Sequence, residues 1–394
     1  MRTNLLIVLF LLLTQMVSAA NEVLVNGIYY QLDSSKKEAE VTNGPNSENV
    51  SGYFDDTSLT YYTNTVTVPQ SVTYNGVTYK VTSIGRGAFA VNRRLKKVNL
   101  PESLVSIQSG AFSWCDDLQS IYIPKSVEDI EYAAFEGCIG VNSVVVDKDN
   151  KIYDSRNDCN GIIETEGNVL IFGNQNTKIP NSVTRIGEWA FAGQSLLTTV
   201  DIPSSVTSLG SHAFSESGLK SMEMPNSIIG LGVNVFMNCR AMETLVFSES
   251  LETIPAFLLN QCHALKSIII PASVKVVEEY SLAYSNNVES ITFLSTTPPA
   301  IFPASFEGLG YNYTITIHVP EGCRDEYEYS TVGQTFTNIV DDVKISTGIS
   351  NVTFSNTDTE SRIFRLNGTR VSSLQKGINI VNGKKVMVKN HGSK

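Results

Sequence analysis

The sequence predicts a β-rich α/β solenoid, a right-handed stack of short coils with brief helices or turns on its convex side. A unit of about 23 residues recurs through the middle of the chain, and most units end in the apolar alternation of a short strand. Among the 394 residues, 42% are apolar and only 17% are charged, and Ser, Thr, Asn, Gly, Val and Ile are frequent. This composition favours strands and turns and argues against an all-helical protein.

The repeat is anchored on Ala-Phe pairs and their counterparts. The eight anchors are Phe89, Phe112, Phe135, Phe191, Phe214, Phe236, Leu259 and Leu282. Aliphatic residues precede each anchor at two fixed offsets, and apolar residues return after it with a spacing that ends in period two. The pattern predicts one short strand per unit and a short helix or tight turn at the anchor.

A single unit is too small to be stable alone. It buries about five or six side chains, at roughly 1.5 to 3 kcal/mol each, against roughly 1 to 2 kcal/mol of backbone entropy per residue. Neighbouring units must therefore share one core. We expect strands about 4.8 Å apart in a parallel sheet, with each apolar offset forming a column along the stack.

Residues 1–20 have the pattern of a secretory signal peptide. Arg2 precedes an apolar run over residues 5–13, and small residues follow at 18–20. No later stretch has the roughly 18 apolar residues that a spanning helix needs. We therefore expect a secreted or cell-surface chain with no transmembrane segment after signal cleavage.

Residues 21–80 are interpreted as an N-terminal β cap, because a solenoid needs its terminal apolar coil covered. Asn26 and Asn75 each precede a glycine between alternating apolar residues, a strong hairpin signal. Residues 34–52 between these hairpins are polar and rich in turn formers, which indicates a loop.

Residues 81–294 form the predicted repeat region, with one enlarged rung at 148–180, a rung being one coil of the stack. The long step from Phe135 to Phe191 leaves room for this rung. Apolar residues on both sides of a turn at Gly167 predict a hairpin that projects from the stack and is a candidate contact site.

Two segments follow the repeats. Residues 295–345 are interpreted as a C-terminal repeat cap, because two prolines from Pro298 end regular pairing and residues 313–319 offer a closing strand. Residues 346–394 are interpreted as a small β module, a possible sorting or anchoring domain. Its last part, residues 361–394, carries eight basic residues and no acidic residue.

Several units resemble a known family. The stretches VTSIGRGAF, CDDLQSIYIPKSV and NSVTRIGEWAFAG resemble the BspA-type leucine-rich repeats of bacterial and trichomonad surface proteins. The resemblance covers residues 66–294 and implies a leucine-rich-repeat stack at the cell surface, used in adhesion to host proteins or cells.

A second resemblance concerns the end of the chain. LNGTRV and KGINIVNGKKV resemble the C-terminal sorting domains of exported Bacteroidetes proteins, which implies a role of this segment in secretion or anchoring. The alternative is a solvated basic edge that prevents strand-to-strand aggregation.

Charge and motifs exclude several function classes. The chain has 29 basic and 39 acidic residues, and its net charge of −10 is a poor match for nucleic acid or an anionic membrane. It contains no phosphate loop, nucleophile elbow or dinucleotide motif, and its four histidines stand in no metal-binding pattern. We therefore predict no catalytic residue, no cofactor and no metal site.

Four of the six cysteines share one offset, three residues after an anchor: Cys115, Cys138, Cys239 and Cys262. We expect small buried thiols there. Disulfides between stacked positions are the alternative in an oxidising compartment.

The outward face of the strands supplies the candidate site, since alternate strand residues point away from the core. One outward column is a nearly continuous ladder of Ser and Thr. The next column sets apolar pairs on either side of an acidic pair and is the possible partner-binding strip: Tyr122, Val145, Asp201, Glu223, Val246 and Ile269. The same column also contains Asn99 and Thr292.

The extended face determines the functional prediction. A solenoid presents a long surface without a deep pocket, which suits a protein or glycan chain better than a small molecule. We predict an exported cell-surface binding protein, not an enzyme, that recognises an extracellular protein or glycan in adhesion to host or neighbouring cells. The alternatives are a secreted enzyme with an unrecognised site and a structural component of the envelope.

Overall fold

The computed structural model describes residues 22–44, 62, 64–302, 304–309 and 315–344, and four strands between residues 363 and 388. The predicted signal peptide, residues 1–20, lies outside these ranges. The chain divides into two compact units, residues 1–178 and 179–394. The predicted fold class is confirmed, because both units are built as β-solenoids with few helices.

The first unit contains three groups of strands. The first group is β1 (Glu22–Val25), β2 (Ile28–Asp33), β3 (Glu38–Thr42), β5 (Ser71–Tyr74), β6 (Val77–Ile84), β8 (Ser106–Ile107) and β10 (Asp129–Ile130). The second is β4 (Asn64–Thr67), β7 (Leu95–Asn99), β9 (Ser120–Ile123) and β11 (Ser143–Val146). The third is β12 (Tyr153–Asp154), β13 (Gly161–Glu164) and β14 (Val169–Gly173).

Most repeats supply two parallel strands, not the single strand predicted; the Phe191 repeat has only the shorter one, Arg185–Ile186. The longer strands pair in register, as in Val145 beside Tyr122, and a second ladder pairs Asp129 with Ser106 on another part of the coil. The second ladder is only two residues wide, which is too short for period-two alternation to be visible in the sequence.

The N-terminal segment contains the predicted hairpins. Strands β1 and β2 pair antiparallel, and so do β5 and β6. Part of the predicted loop at 34–52 is wrong, however, because β3 lies within it and pairs with both β2 and β6. Ala39 and Val41 are buried, but Glu38 and Glu40 stand beside them in the sequence and hide this short alternation.

The enlarged rung contains the predicted hairpin, but the hairpin does not project from the core. Strands β13 and β14 pair antiparallel, and Ile163, Leu170 and Phe172 are buried. The ring of Phe172 lies 5.5 Å from that of Phe135, so the hairpin covers an anchor. The left-handed turn residue is Asn168 (φ 51°) rather than Gly167.

The second unit repeats the two-ladder arrangement. Its shorter strands are β15 (Arg185–Ile186), β16 (Ser208–Leu209), β18 (Gly230–Leu231), β20 (Thr253–Ile254), β22 (Val276–Val277) and β24 (Ala300–Ile301). Its longer strands are β17 (Ser221–Glu223), β19 (Thr244–Val246), β21 (Ser267–Ile270), β23 (Ser290–Phe293), β25 (Thr316–Pro320) and β26 (Ile339–Val343). Two short helices, α1 (Arg324–Glu328) and α2 (Thr331–Thr335), lie between β25 and β26.

The C-terminal segment forms a separate antiparallel sheet. Its strands are β27 (Ile363–Arg365), β28 (Arg370–Val371), β29 (Gly377–Val381) and β30 (Lys384–Val388). Strand β27 pairs with β28 and β29, and β29 pairs with β30.

The predicted anchor column forms the core. Phe112 stacks between Phe89 and Phe135, with ring centroids 5.2 and 5.3 Å apart, and Phe214 stacks between Phe191 and Phe236 at 5.0 and 5.7 Å. All six rings are at most 3% exposed. Apolar side chains at one sequence offset therefore share one column within each unit.

Two left-handed backbone positions bracket the anchors and explain why these segments form turns and not helices. In the Leu282 rung they are Tyr280 (φ 56°) and Tyr284 (φ 59°), two residues before and after the anchor. Left-handed φ angles interrupt a right-handed helix after a single turn. Most of these positions are not glycine, so the sequence gives no signal for them.

The repeat cysteines are free thiols, each directed at the carbonyl oxygen of the anchor in the preceding rung. The contacts are Cys115 to Phe89 (3.0 Å), Cys138 to Phe112 (3.0 Å), Cys239 to Phe214 (3.0 Å) and Cys262 to Phe236 (3.1 Å). Burial raises the pKa of Cys138 and of Cys239 to about 12. These thiols are therefore protonated at neutral pH and satisfy backbone acceptors.

Thiol labelling tests this arrangement. At pH 8 we expect an aromatic disulfide reagent to react quickly with Cys323 alone, because the other five cysteines are buried and the thiolate is the reactive form. In denaturant without reductant all six thiols of the chain should react. Fewer than six would reveal a disulfide and contradict the column of free thiols.

Candidate binding face on the strands

Tyr122 and Val145 form the exposed centre of the predicted strip in the first unit. They stand side by side on β9 and β11, and 41% and 47% of their surfaces are exposed. Ile121 and Ile123 on β9 point to the opposite side and are buried. Alternation along the strand thus places an aromatic ring and an aliphatic side chain together on an open sheet face.

Asp147, which the sequence analysis did not single out, fixes the position of the Tyr122 ring. The Tyr122 hydroxyl donates to Asp147 Oδ2 at 2.6 Å, and the Asp149 amide donates to Asp147 Oδ1 at 2.8 Å. The hydroxyl bond lowers the pKa of Asp147 and raises the pKa of Tyr122 to about 12. The carboxylate is therefore ionised and the phenol protonated at neutral pH.

Removing the phenol hydroxyl tests this coupling. In Tyr122→Phe the pKa of Asp147 should rise toward its ordinary value, as measured by carboxyl NMR titration. Because the folded pKa is lowered, the pair stabilises the fold above the ordinary aspartate pKa, and this contribution disappears as the pH falls through the folded value. Tyr132→Phe, at another exposed tyrosine, is the control and should leave Asp147 unchanged; an unchanged Asp147 in Tyr122→Phe would refute the bond.

The second unit holds the other four residues of the strip. Asp201 and Ile269 are exposed, whereas Glu223 and Val246 are half-buried neighbours on β17 and β19. Asp201 lies on an extended segment outside the strands. The structure therefore pairs Tyr122 with Val145 and Glu223 with Val246.

The prediction that Thr292 faces outward is wrong. Its side chain is only 6% exposed. The register sets the larger His318 beside it, and His318 Nδ1 lies 2.8 Å from Asp342 Oδ1. The small Thr292 side chain is therefore covered by the larger His318–Asp342 pair beside it.

The hydroxyl ladder lies beside the strip. Ser143 pairs with Ser120, Thr244 with Ser221, and Ser290 with Ser267, each on adjacent parallel strands. All six side chains are exposed or half-buried. They make this part of the face flat and polar.

Neither a metal-binding cluster nor a membrane-spanning helix occurs within the described ranges. No group of three or more His, Cys, Asp or Glu side chains there could hold a metal ion. Among the same residues, no helix is both long and apolar enough to cross a membrane.

Comparison with known proteins identifies the repeat. A family model described as a BspA type leucine rich repeat region matches residues 58–159 and 173–289 in six copies. No curated protein matches the chain.

The chain is similar to several solved structures at low sequence identity. A leucine-rich repeat protein from Eubacterium ventriosum is 20% identical, with 72% of this chain and 93% of that chain covered and a TM-score of 0.50. A leucine rich cell surface protein from Faecalibacterium prausnitzii is 19% identical (79% and 97% covered, TM-score 0.41). The pneumococcal vaccine antigen PcpA is 15% identical (82% and 99% covered, TM-score 0.45).

Proposed function

Because the chain belongs to the BspA-type leucine-rich repeat family, we propose that it is an exported cell-surface protein whose strand face binds an extracellular protein or glycan. The observation that carries this proposal is the Tyr122–Val145 pair. Both side chains are exposed on adjacent strands, and the ring is held before any partner binds. A preformed aromatic contact loses little conformational entropy on binding.

The form of the face supports binding rather than catalysis. The exposed part of the strip lies on an open sheet face bordered by serine and threonine, and the raised pKa of Tyr122 there comes first from its bond to Asp147. Other strongly raised pKa values belong to buried thiols and phenols of the core. Catalytic sites gather such groups in a cleft. Adhesion to host or neighbouring cells is the use that we propose for this face.

Export is supported by the two ends of the sequence. Residues 1–20 have the pattern of a signal peptide, and residues 346–394 resemble sorting domains of exported proteins. Strands β27 to β30 form one antiparallel sheet within this segment. We propose that this module serves secretion or anchoring.

The proposed function is tested by binding of the mature chain to an array of extracellular matrix proteins and glycans. A ligand found there should bind at least tenfold more weakly to Val145→Arg, because a long cation replaces the exposed aliphatic side chain. Val105→Arg is the matched control, since Val105 is an exposed valine (36%) of the same unit outside the strip. Absence of any ligand, or equal loss in both variants, would contradict the proposal.

A further inference from the structure

We propose that Tyr122 and Asp147 form a recognition site for a cationic side chain, so that the partner is a protein presenting an arginine or lysine at this point. The inference deepens the proposed function and rests on it. The inference follows from the donors and acceptors of Tyr122 and Asp147: some are already hydrogen-bonded to each other, and the others remain for a partner.

The pair offers acceptors and a π face but no hydroxyl donor. The Tyr122 hydroxyl is committed as a donor to Asp147 Oδ2 at 2.6 Å. What remains is the second lone pair of the phenol, the outer lone pairs of the carboxylate and the ring itself. A guanidinium or ammonium group satisfies all three, by charge-assisted hydrogen bonds and by contact with the ring.

The neighbouring strand does not use this site. Lys97 pairs with Ser120 on the adjacent strand, and Asn99 lies two residues further along β7. The Asn99 amide instead donates to Thr67 Oγ1 at 2.9 Å, toward β4. On the other side stands Val145, which has no group that could pair with a carboxylate.

Asp147 is held in place by its backbone, and its carboxylate stays ionised. The backbone amide of Asp147 donates to Ile123 O at 2.9 Å, which ties Asp147 to the preceding rung. Lys125 and Lys148 lie near enough to lower the pKa of Asp147, but Lys148 pairs with Asp149 at 3.7 Å. Among the described residues, no lysine or arginine lies within 4.0 Å of the Asp147 carboxylate.

An anionic glycan is the competing occupant on the same face. Lys96 and Lys97 are both exposed because a register shift between β4 and β7 interrupts the alternation there. The ionised Asp147 carboxylate beside the Tyr122 ring would repel such a glycan. The negative charge of Asp147 therefore favours a cationic partner at this point.

The test uses a labelled hexa-arginine peptide and the mature chain, with hexa-citrulline as the uncharged analogue. Asp147→Asn should weaken hexa-arginine binding about threefold to fivefold more than Asp149→Asn, as expected for loss of an exposed ion pair. Both variants remove one negative charge, so a difference in binding between them does not come from nonspecific attraction of the peptide to the net charge of the chain. Tyr122→Leu should weaken binding about twofold to fivefold, whereas Tyr122→Phe keeps the ring and loses only the phenol oxygen, so it should weaken binding less than Tyr122→Leu does.

Three outcomes would overturn the inference: equal effects of Asp147→Asn and Asp149→Asn, equal binding of the citrulline peptide, or dextran sulfate binding that Asp147→Asn strengthens and Lys97→Gln removes. These results are independent of the array experiment. An array ligand that depends on Val145, combined with equal effects of the two carboxylate variants, would leave the proposed function intact and reject the cation site.

Discussion

Phe112→Ala is expected to lower the free energy of unfolding by about 3 to 5 kcal/mol, the range for truncating a buried phenylalanine. Phe112 is 1% exposed and lies between two nearly parallel rings, with interplanar angles of 7° to Phe89 and 3° to Phe135. The substitution removes both stacking contacts and leaves a cavity in a column that neighbouring rungs hold open.

Urea unfolding followed by far-UV circular dichroism measures this change, with the slope of the transition checked because repeat proteins can unfold in parts. Tyr132→Ala is the control, since Tyr132 is 55% exposed in the adjacent rung and its loss should stay near 0.5 kcal/mol. A loss of less than about 1 kcal/mol for Phe112→Ala would contradict the shared column.

Gly218→Ala is expected to destabilise the second unit by roughly 1 to 3 kcal/mol through overpacking. A Cβ atom at Gly218 would collide with the carbonyl oxygen of Ser195 in the preceding rung, and that oxygen belongs to backbone which cannot rotate away. The penalty comes from the approach of two coils, because the backbone of Gly218 is not left-handed.

Gly230→Ala is the matched control for this close approach. A Cβ atom at Gly230 would lie 3.7 Å from the Ser208 Cβ, an ordinary contact distance. The substitution should be neutral or stabilising by up to about 1 kcal/mol, because alanine restricts the unfolded chain. Thermal unfolding of both variants separates the two cases, and similar melting temperatures would show that the rungs do not approach each other at Gly218.

The repeat columns could be predicted from sequence because one offset corresponds to one place in every coil. The burial of Phe89, Phe112 and Phe214 follows directly from this periodicity. The cysteine column follows in the same way, since each member stands three residues after its anchor. The repeat period therefore predicts the buried columns of the stack.

Other features escaped prediction because they depend on geometry that has no regular sequence pattern. The two-residue ladder is too short to alternate, and β3 is masked by the glutamates around Ala39. The left-handed positions are occupied by residues as different as Trp189 and Asn234. Nothing in the sequence showed that the enlarged rung would cover Phe135.

The candidate site was only partly predictable for a related reason. Alternation on β9 and β11 was enough to place Tyr122 and Val145 outward. Asp147 follows the end of β11, where alternation no longer determines direction, and its bond to the ring joins residues 25 positions apart. A signal for it would have required knowing the register of the two strands.

The Phe214 rung shows how the stack accommodates a unit that is one residue shorter than its neighbours. Its step to Phe236 is 22 residues instead of 23, and Gly218 lies between Phe214 and the following strand. At this point the shortened chain closes onto Ser195, which only a residue without a side chain permits, while Leu219 stays buried as Leu197 does one coil earlier. The missing residue is thereby accommodated within one turn, and the strands on either side keep their register.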